Sequence, residues 1–174
     1  MRIIRSACGN TCVESNSTGM NERLKTTPER SRLMSKVRQS GTSPELIVRK
    51  LLHSYGCRFR VKAVDLPGSP DIVNRSVKWA IFVHGCFWHA HEHCRRWTIP
   101  KNNREFWIQK FCSNRERDAR KIKGLKRLGY SVMTFWQCDL DNEVKAKRKI
   151  LQFILRARNK SVERERHIHG KSSQ

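Results

Sequence analysis

Nine consecutive residues near the middle of this 174-residue chain read Cys86-Phe87-Trp88-His89-Ala90-His91-Glu92-His93-Cys94. A structural zinc ion takes four nitrogen or sulfur ligands at tetrahedral corners. Cys86 and Cys94 supply two, one of the three histidines between them a third, and the fourth must come from elsewhere. Cys138 is the best donor, because the local pattern places it at the end of a strand. Spacing alone leaves the choice of histidine open: His89 and His91 are two apart and would face the same side of an extended backbone. A polar loop without hydrophobic period has little reason to be ordered unless a metal organises it.

A second group of residues suits phosphodiester chemistry. Pro70-Asp71 opens a strand straight after the turn Leu66-Pro67-Gly68-Ser69. One or two carboxylates are enough to hold Mg²⁺, which keeps several waters. Glu45, in the first turn of a preceding helix, is the natural partner of Asp71, although a carboxylate there also stabilises the helix start. His89 or His84 then serves as general base for an attacking water, since an imidazole titrates near neutrality. Phe87 and Trp88 are large apolar side chains in a polar loop, of the kind that wedge between base steps. Trp107 suits either that role or a core stripe.

The elements that must position these groups follow from period and punctuation. Pro28 opens a helix reaching about Arg38, and Ser43-Pro44-Glu45 opens another that Gly56 closes. Strands are expected at 57–62, 71–73, 77–84 and 131–138. Asn103 can cap a long charged helix that Gly129 ends, with a break near Ser113-Asn114. Asp141 can cap a last helix through Ile150, Phe153 and Ile154, and a charged, frayed tail is expected from Asn159. The expected organisation is a dispensable lead-in at 1–26, with Met20 a possible start, one domain at 27–158 and the tail at 159–174. The fold class is α/β, a mixed sheet flanked by helices.

Composition sets the partner class. Thirty-seven Lys+Arg against 15 Asp+Glu give a net charge of +22, which calls for a polyanion, nucleic acid before a membrane surface. No apolar run is long enough to span a bilayer. Seven cysteines, an odd number without an export signal, argue for a reducing cytoplasm rather than a disulfide framework. Cys57 and Cys112 read as packing residues, and Cys8 and Cys12 lie in the lead-in.

Taken in order, LPGSPDIV, FVHGCFWHAHEHC, REFWIQK, NRERD and FWQC resemble the very short patch repair (Vsr) DNA mismatch endonucleases over about residues 26–140. The resemblance implies a fold similar to type II restriction endonucleases with an inserted structural zinc site. It implies a nick 5′ to the T of a T:G mismatch in double-stranded DNA, the product of 5-methylcytosine deamination. Carried over by residue, it makes Asp71 and the backbone carbonyl of Val83 the Mg²⁺ ligands, His89 the catalytic base, His84 an active-site histidine and Glu45 a supporting acid. The zinc ligands become Cys86, His91, Cys94 and Cys138. Phe87, Trp88 and Trp107 become the residues inserted beside the mismatch, and Asn114 an active-site asparagine in contact with DNA. The loop from His89 to Cys94 is one residue longer than in a family member, which makes His93 the alternative to His91. A bacterial, cytoplasmic and nucleoid-associated monomer follows, with mismatch-repair proteins as candidate partners. The rivals are a non-enzymatic zinc module that binds DNA and a related nuclease with another DNA substrate.

Overall fold

The computed structural model describes residues 27–38 and 40–169; the lead-in with Cys8, Cys12 and Met20 lies outside the described residues. The elements are α1 (Pro28–Ser35), α2 (Ser43–Ser54), β1 (Arg60–Val61), β2 (Ile72–Asn74), β3 (Trp79–His84), α3 (Arg104–Arg127), β4 (Ser131–Trp136), a 3-10 turn (Gln137–Asp141) and α4 (Glu143–His169). The four strands form one sheet in the order β1-β2-β3-β4, antiparallel up to β3 and parallel between β3 and β4. Helix α3 makes the crossover that a parallel pair needs.

Side chains along the strands alternate between the two faces of the sheet, as a pleated backbone imposes, and both faces are covered. Ile72, Trp79, Ile81, Met133 and Phe135 face one apolar layer, which Val48 and Leu52 of α2 and Ile150 and Ile154 of α4 complete. Val73, Ala80 and Phe82 face a smaller layer closed by Leu125 and Ile122 of α3. The same alternation continues past the core: His84 and its paired neighbour Trp136 fall on the α3 side of the sheet. Cys57 is buried in the larger layer, as expected of a packing residue. Among the described residues no helix is long and apolar enough to cross a membrane.

Both glycine stops hold. Gly56 and Gly129 take φ values of +65° and +82°. Cys57 N–H donates to Leu52 O and Tyr130 N–H to Leu125 O, each at 3.0 Å, the paired closure of a Schellman cap.

Several boundaries differ from the sequence reading. Helix α1 stops at Ser35, short of Arg38. The strand expected at 57–62 shrinks to Arg60–Val61, and Lys62, which follows it, takes φ +50°. Helix α3 runs through Ser113-Asn114 without a break. Asn103 does occupy its N-cap position, but with φ 53° and no capping hydrogen bond from its side chain. Cys138 lies not on β4, which ends at Trp136, but in the 3-10 turn that follows.

The last helix is capped by Asn142 rather than Asp141. Asn142 Oδ1 accepts from Lys145 N–H at 2.9 Å, while Asp141 pairs with Arg96. The helix also continues to His169 instead of fraying at Asn159. Its Lys, Arg and Glu residues are good helix formers, and Arg164 fastens it to the sheet by donating to Val77 O at 2.9 Å and to Gly129 O. Removing the Asn142 cap should lower stability by about 1 kcal/mol. Urea unfolding of Asn142→Ala and Asp141→Ala should show the larger loss for Asn142; the reverse order would restore Asp141 as the cap.

Candidate active site

The loop from Gly85 to Pro100 begins where β3 ends and turns back on itself. His91 N–H donates to Cys86 O at 3.0 Å, and Ala90 and His93 take φ of +48° and +58°. These turns overturn the extended-backbone reading of the histidines. His89 and His91 do not share a side: His89 reaches α3, His91 reaches the 3-10 turn, and His93 is exposed.

Cys86, His91, Cys94 and Cys138 converge, with their ligand atoms all within 4.8 Å of one another. Cys138 Sγ lies 3.3 Å from His91 Nδ1. Tetrahedral bonds of about 2.0–2.3 Å to nitrogen and sulfur imply ligand–ligand edges of about 3.3–3.8 Å, so the four donors fit one zinc-sized ion. The electrostatics agree. Burial, then the neighbouring Cys86 and Cys94, pushes the Cys138 thiol up to about 12, and burial also raises Cys86. Three clustered thiols give up their protons only to a cation held between them. Asp139 fixes the turn by accepting from Trp136 N–H at 2.7 Å, and Lys149 pairs with Asp139.

A second cluster lies across Trp136 from the first. The indole stacks on His91 at 4.0 Å and presents an edge to His84 at 5.4 Å. His84 and His89 stack with centroids 3.8 Å apart and planes 7° from parallel. Between them and α3 sits Asp118, which sequence reasoning missed as a site residue although it closes the motif NRERD. Its Oδ2 is 2.5 Å from His89 Nδ1 and 3.9 Å from His84 Nδ1. Burial pushes Asp118 up, but the His89 bond and the charges of His84, His89 and Lys121 hold it below the ordinary carboxylate value. An ionised carboxylate only accepts, so the hydrogen belongs to Nδ1 and the lone pair of His89 is left on Nε2. His84 is pulled down to about 3, by burial first and then by His89, against the opposing pull of Asp118. It is therefore neutral at any working pH.

Asp71, His84, His89, Glu45 and Trp88 line one cavity of about 690 Å³. Val83 N–H donates to Asp71 Oδ2 at 2.8 Å. In a strand the N–H and C=O of one residue point the same way, so the Val83 carbonyl faces the Asp71 side as well. Burial raises Asp71 above the usual carboxylate range, and nearby Glu45 adds to the rise against Val83 N–H, Lys121 and Arg49. A desolvated carboxylate with a second one close by is a donor set that suits a divalent cation. Glu45 itself is buried and occupied. It accepts from Gly41 N–H at 3.0 Å, Thr42 Oγ1 at 2.9 Å and Arg49 at 2.9 Å, bonds that serve the start of α2.

The aromatic residues form a half-exposed cluster at the cavity rim. Phe87 meets Trp88, Trp107 and Phe111 edge-on at 5.1, 5.2 and 5.5 Å. Asn114 of α3 donates to Trp88 O at 2.8 Å and holds this loop in place.

Comparison with known proteins gives a consistent set. The family model described as DNA mismatch endonuclease Vsr matches residues 22–96. The type II nicking enzyme V.XorIIP of Xanthomonas oryzae is 49% identical over 124 residues, 71% of this chain and 89% of that protein. The type II nicking enzyme V.NmeAIP of Neisseria meningitidis is 37% identical over 74% of this chain and 91% of its own length. The DNA mismatch endonuclease Vsr of Escherichia coli is 41% identical over 64% of this chain and 70% of its own.

Two outcomes follow from the site's electrostatics. Zinc added to metal-stripped protein should bind one ion per chain and raise the Tm; Cys138→Ser should lose most of that rise, and an unchanged rise would remove Cys138 from the ligand set. Asp71, whose folded pKa lies above its unfolded one, binds more protons in the native state, so it lowers stability as pH rises through that interval. Asp71→Asn should therefore raise the Tm of the metal-free protein at neutral pH. The gain should vanish below the ordinary aspartate pKa of about 3.9. A lower Tm at neutral pH would contradict the burial penalty.

Proposed function

The chain belongs to the Vsr family of nicking endonucleases, and from that premise we propose that it nicks double-stranded DNA 5′ to the T of a T:G mismatch by Mg²⁺-dependent hydrolysis. The observation that carries this reading is one cavity lined by a half-buried carboxylate, Asp71, and by an imidazole, His89, held by Asp118. The likeness to the Escherichia coli relative, a DNA mismatch endonuclease, supports the substrate class. The mixed sheet, with Asp71 at the start of β2 and helices on both faces, supports a restriction-endonuclease-like core.

In this mechanism Asp71 and the Val83 carbonyl would hold Mg²⁺, with Glu45 close by. The ion, when bound, neutralises phosphate charge and polarises the attacking water. His89 takes the water proton on Nε2 as the new oxygen–phosphorus bond forms and the bond to the leaving sugar oxygen breaks. Asp118 fixes the tautomer and offsets the positive charge that develops on the ring. Neutral His84 stacks against His89 and keeps a second charge out of the pocket. Cys86, His91, Cys94 and Cys138 hold zinc, which fixes the loop that bears His89, Phe87 and Trp88. Phe87, Trp88 and Trp107 form a wedge whose entry is cheapest where pairing is weak, as at a mismatch. Asn114 supports the wedge through the Trp88 backbone while lining the cavity.

A labelled duplex with a single T:G pair should be nicked in the T strand in the presence of Mg²⁺, and its T:A twin should be left intact. Asp71→Ala should abolish the nick, and Asp118→Asn should lower kcat by about 10²–10⁴-fold. Equal nicking of both duplexes would discard the mismatch. Binding without nicking by folded, zinc-loaded protein would leave a DNA-binding module.

A further inference from the structure

The mechanism above gives no role toward DNA to a half-buried cation beside its reacting groups. Lys121 lies one turn beyond Asp118 on α3, with Nζ 3.6 Å from Asp118 Oδ1 and the side chain only 27% exposed. Arg38, Lys110 and Arg117 also line the cavity, but all three are exposed. The path of Lys121 is built into the fold. Its stem crosses the Asp71 loop at Gly68, where a Cβ would lie 2.2 Å from Lys121 Cγ and 2.6 Å from its Cδ. Gly68 also takes φ +75°, so two separate requirements exclude a side chain there. Farther along, the ammonium lies 5.9 Å from the Phe82 ring centroid, which places it beside β3 on the side where His84 lies.

Asp118 pairs with this lysine only loosely. Its Oδ2 is satisfied by His89 at 2.5 Å, and 3.6 Å to Oδ1 is longer than a hydrogen bond. The positive charge is felt at Asp71 and His84, both of which it pulls down. It therefore lies close to the groups proposed to hold metal and to activate water. A lysine head has three rotatable donors on a flexible stem and suits a phosphate oxygen.

We propose that Lys121 binds the scissile phosphate and stabilises the charge that develops on it in the transition state. This rests on the endonuclease reading of the same cavity. Lys121 gains and loses no proton in the reaction; the water proton still goes to His89, and the ammonium stabilises the non-bridging oxygens.

The test uses the full chain and two duplexes with a T:G pair: one unmodified, one with a neutral methylphosphonate at the target phosphate. At saturating unmodified DNA, Lys121→Gln should lower kcat by about 10–100-fold, with the Tm unchanged. Lys121→Arg should keep a larger share of activity than Lys121→Gln. The methylphosphonate should weaken binding to wild-type protein by about tenfold and leave the affinity of Lys121→Gln nearly unaltered. If Lys121→Gln unfolds, Lys121→Met keeps the stem on Gly68 and serves the same comparison. An unchanged kcat, or an equal methylphosphonate penalty in wild type and variant, would overturn the proposal; an equal penalty together with a lowered kcat would make Lys121 only a positioning residue for Asp118. Failure of the wild-type protein to nick the unmodified duplex would overturn the endonuclease reading instead, and the two affinities would still decide whether Lys121 meets that phosphate.

Discussion

Everything at the cavity depends on how closely α3 approaches the loop that carries Asp71. That loop is Leu66-Pro67-Gly68-Ser69-Pro70, and α3 touches it at two points. A Cβ at Gly124 would come within 2.9 Å of Pro67, and one at Gly68 would overlap Lys121. With one glycine on each partner, helix and loop meet backbone to side chain. The approach brings a helix face bearing Asn114, Asp118 and Lys121 onto the end of β3. Any side chain at either glycine would move the helix outward and separate Asp118 from the histidines it orders.

The approach matters because it removes water from charged groups that then depend on each other. Asp118 stays ionised although burial opposes it, since two imidazoles and an ammonium face it. His84 stays neutral because it is buried beside His89. Asp71 is raised because burial and Glu45 outweigh the cations on the other side. Each ionisation state is set by neighbours from a different element: α2, β3, the loop and α3. Such an arrangement is specified by tertiary packing and by no single segment.

That is also why the site was only partly legible in the sequence. Cys86 and Cys94 stand out because thiols and imidazoles are rare in an aperiodic loop, and Asp71 because it follows a turn of the form Pro-Gly-Ser-Pro. Gly56 and Gly129 mark helix ends through a backbone conformation that other residues avoid. Asp118 and Lys121 give no such signal. They lie among Arg115, Glu116, Arg117, Arg120 and Lys123 on a helix whose inward charges look like its solvated ones. Which charges turn inward depends on Gly68 and Gly124, two positions far apart in the chain. The ends of β1 and β4 were misjudged for a local reason: Lys62 turns left-handed, and the 3-10 turn starts one residue before Cys138. The charged end of α4 was read as frayed because its attachment, Arg164 on the carbonyls of Val77 and Gly129, is long-range.

The position of α4 bears on when the fold can be completed on the ribosome. Ala146, Ile150, Ile154 and Ala157 close the larger apolar layer, and Arg164 latches the β2–β3 turn to the turn before β4. Until residues 146–164 have left the exit tunnel, one face of the sheet has only α2 to cover it. Asp71, His84 and Asp118 are all translated earlier, yet the sheet that holds two of them stays half-covered until then. The groups gathered at the cavity thus rest on a scaffold that is complete only once the α4 segment has docked.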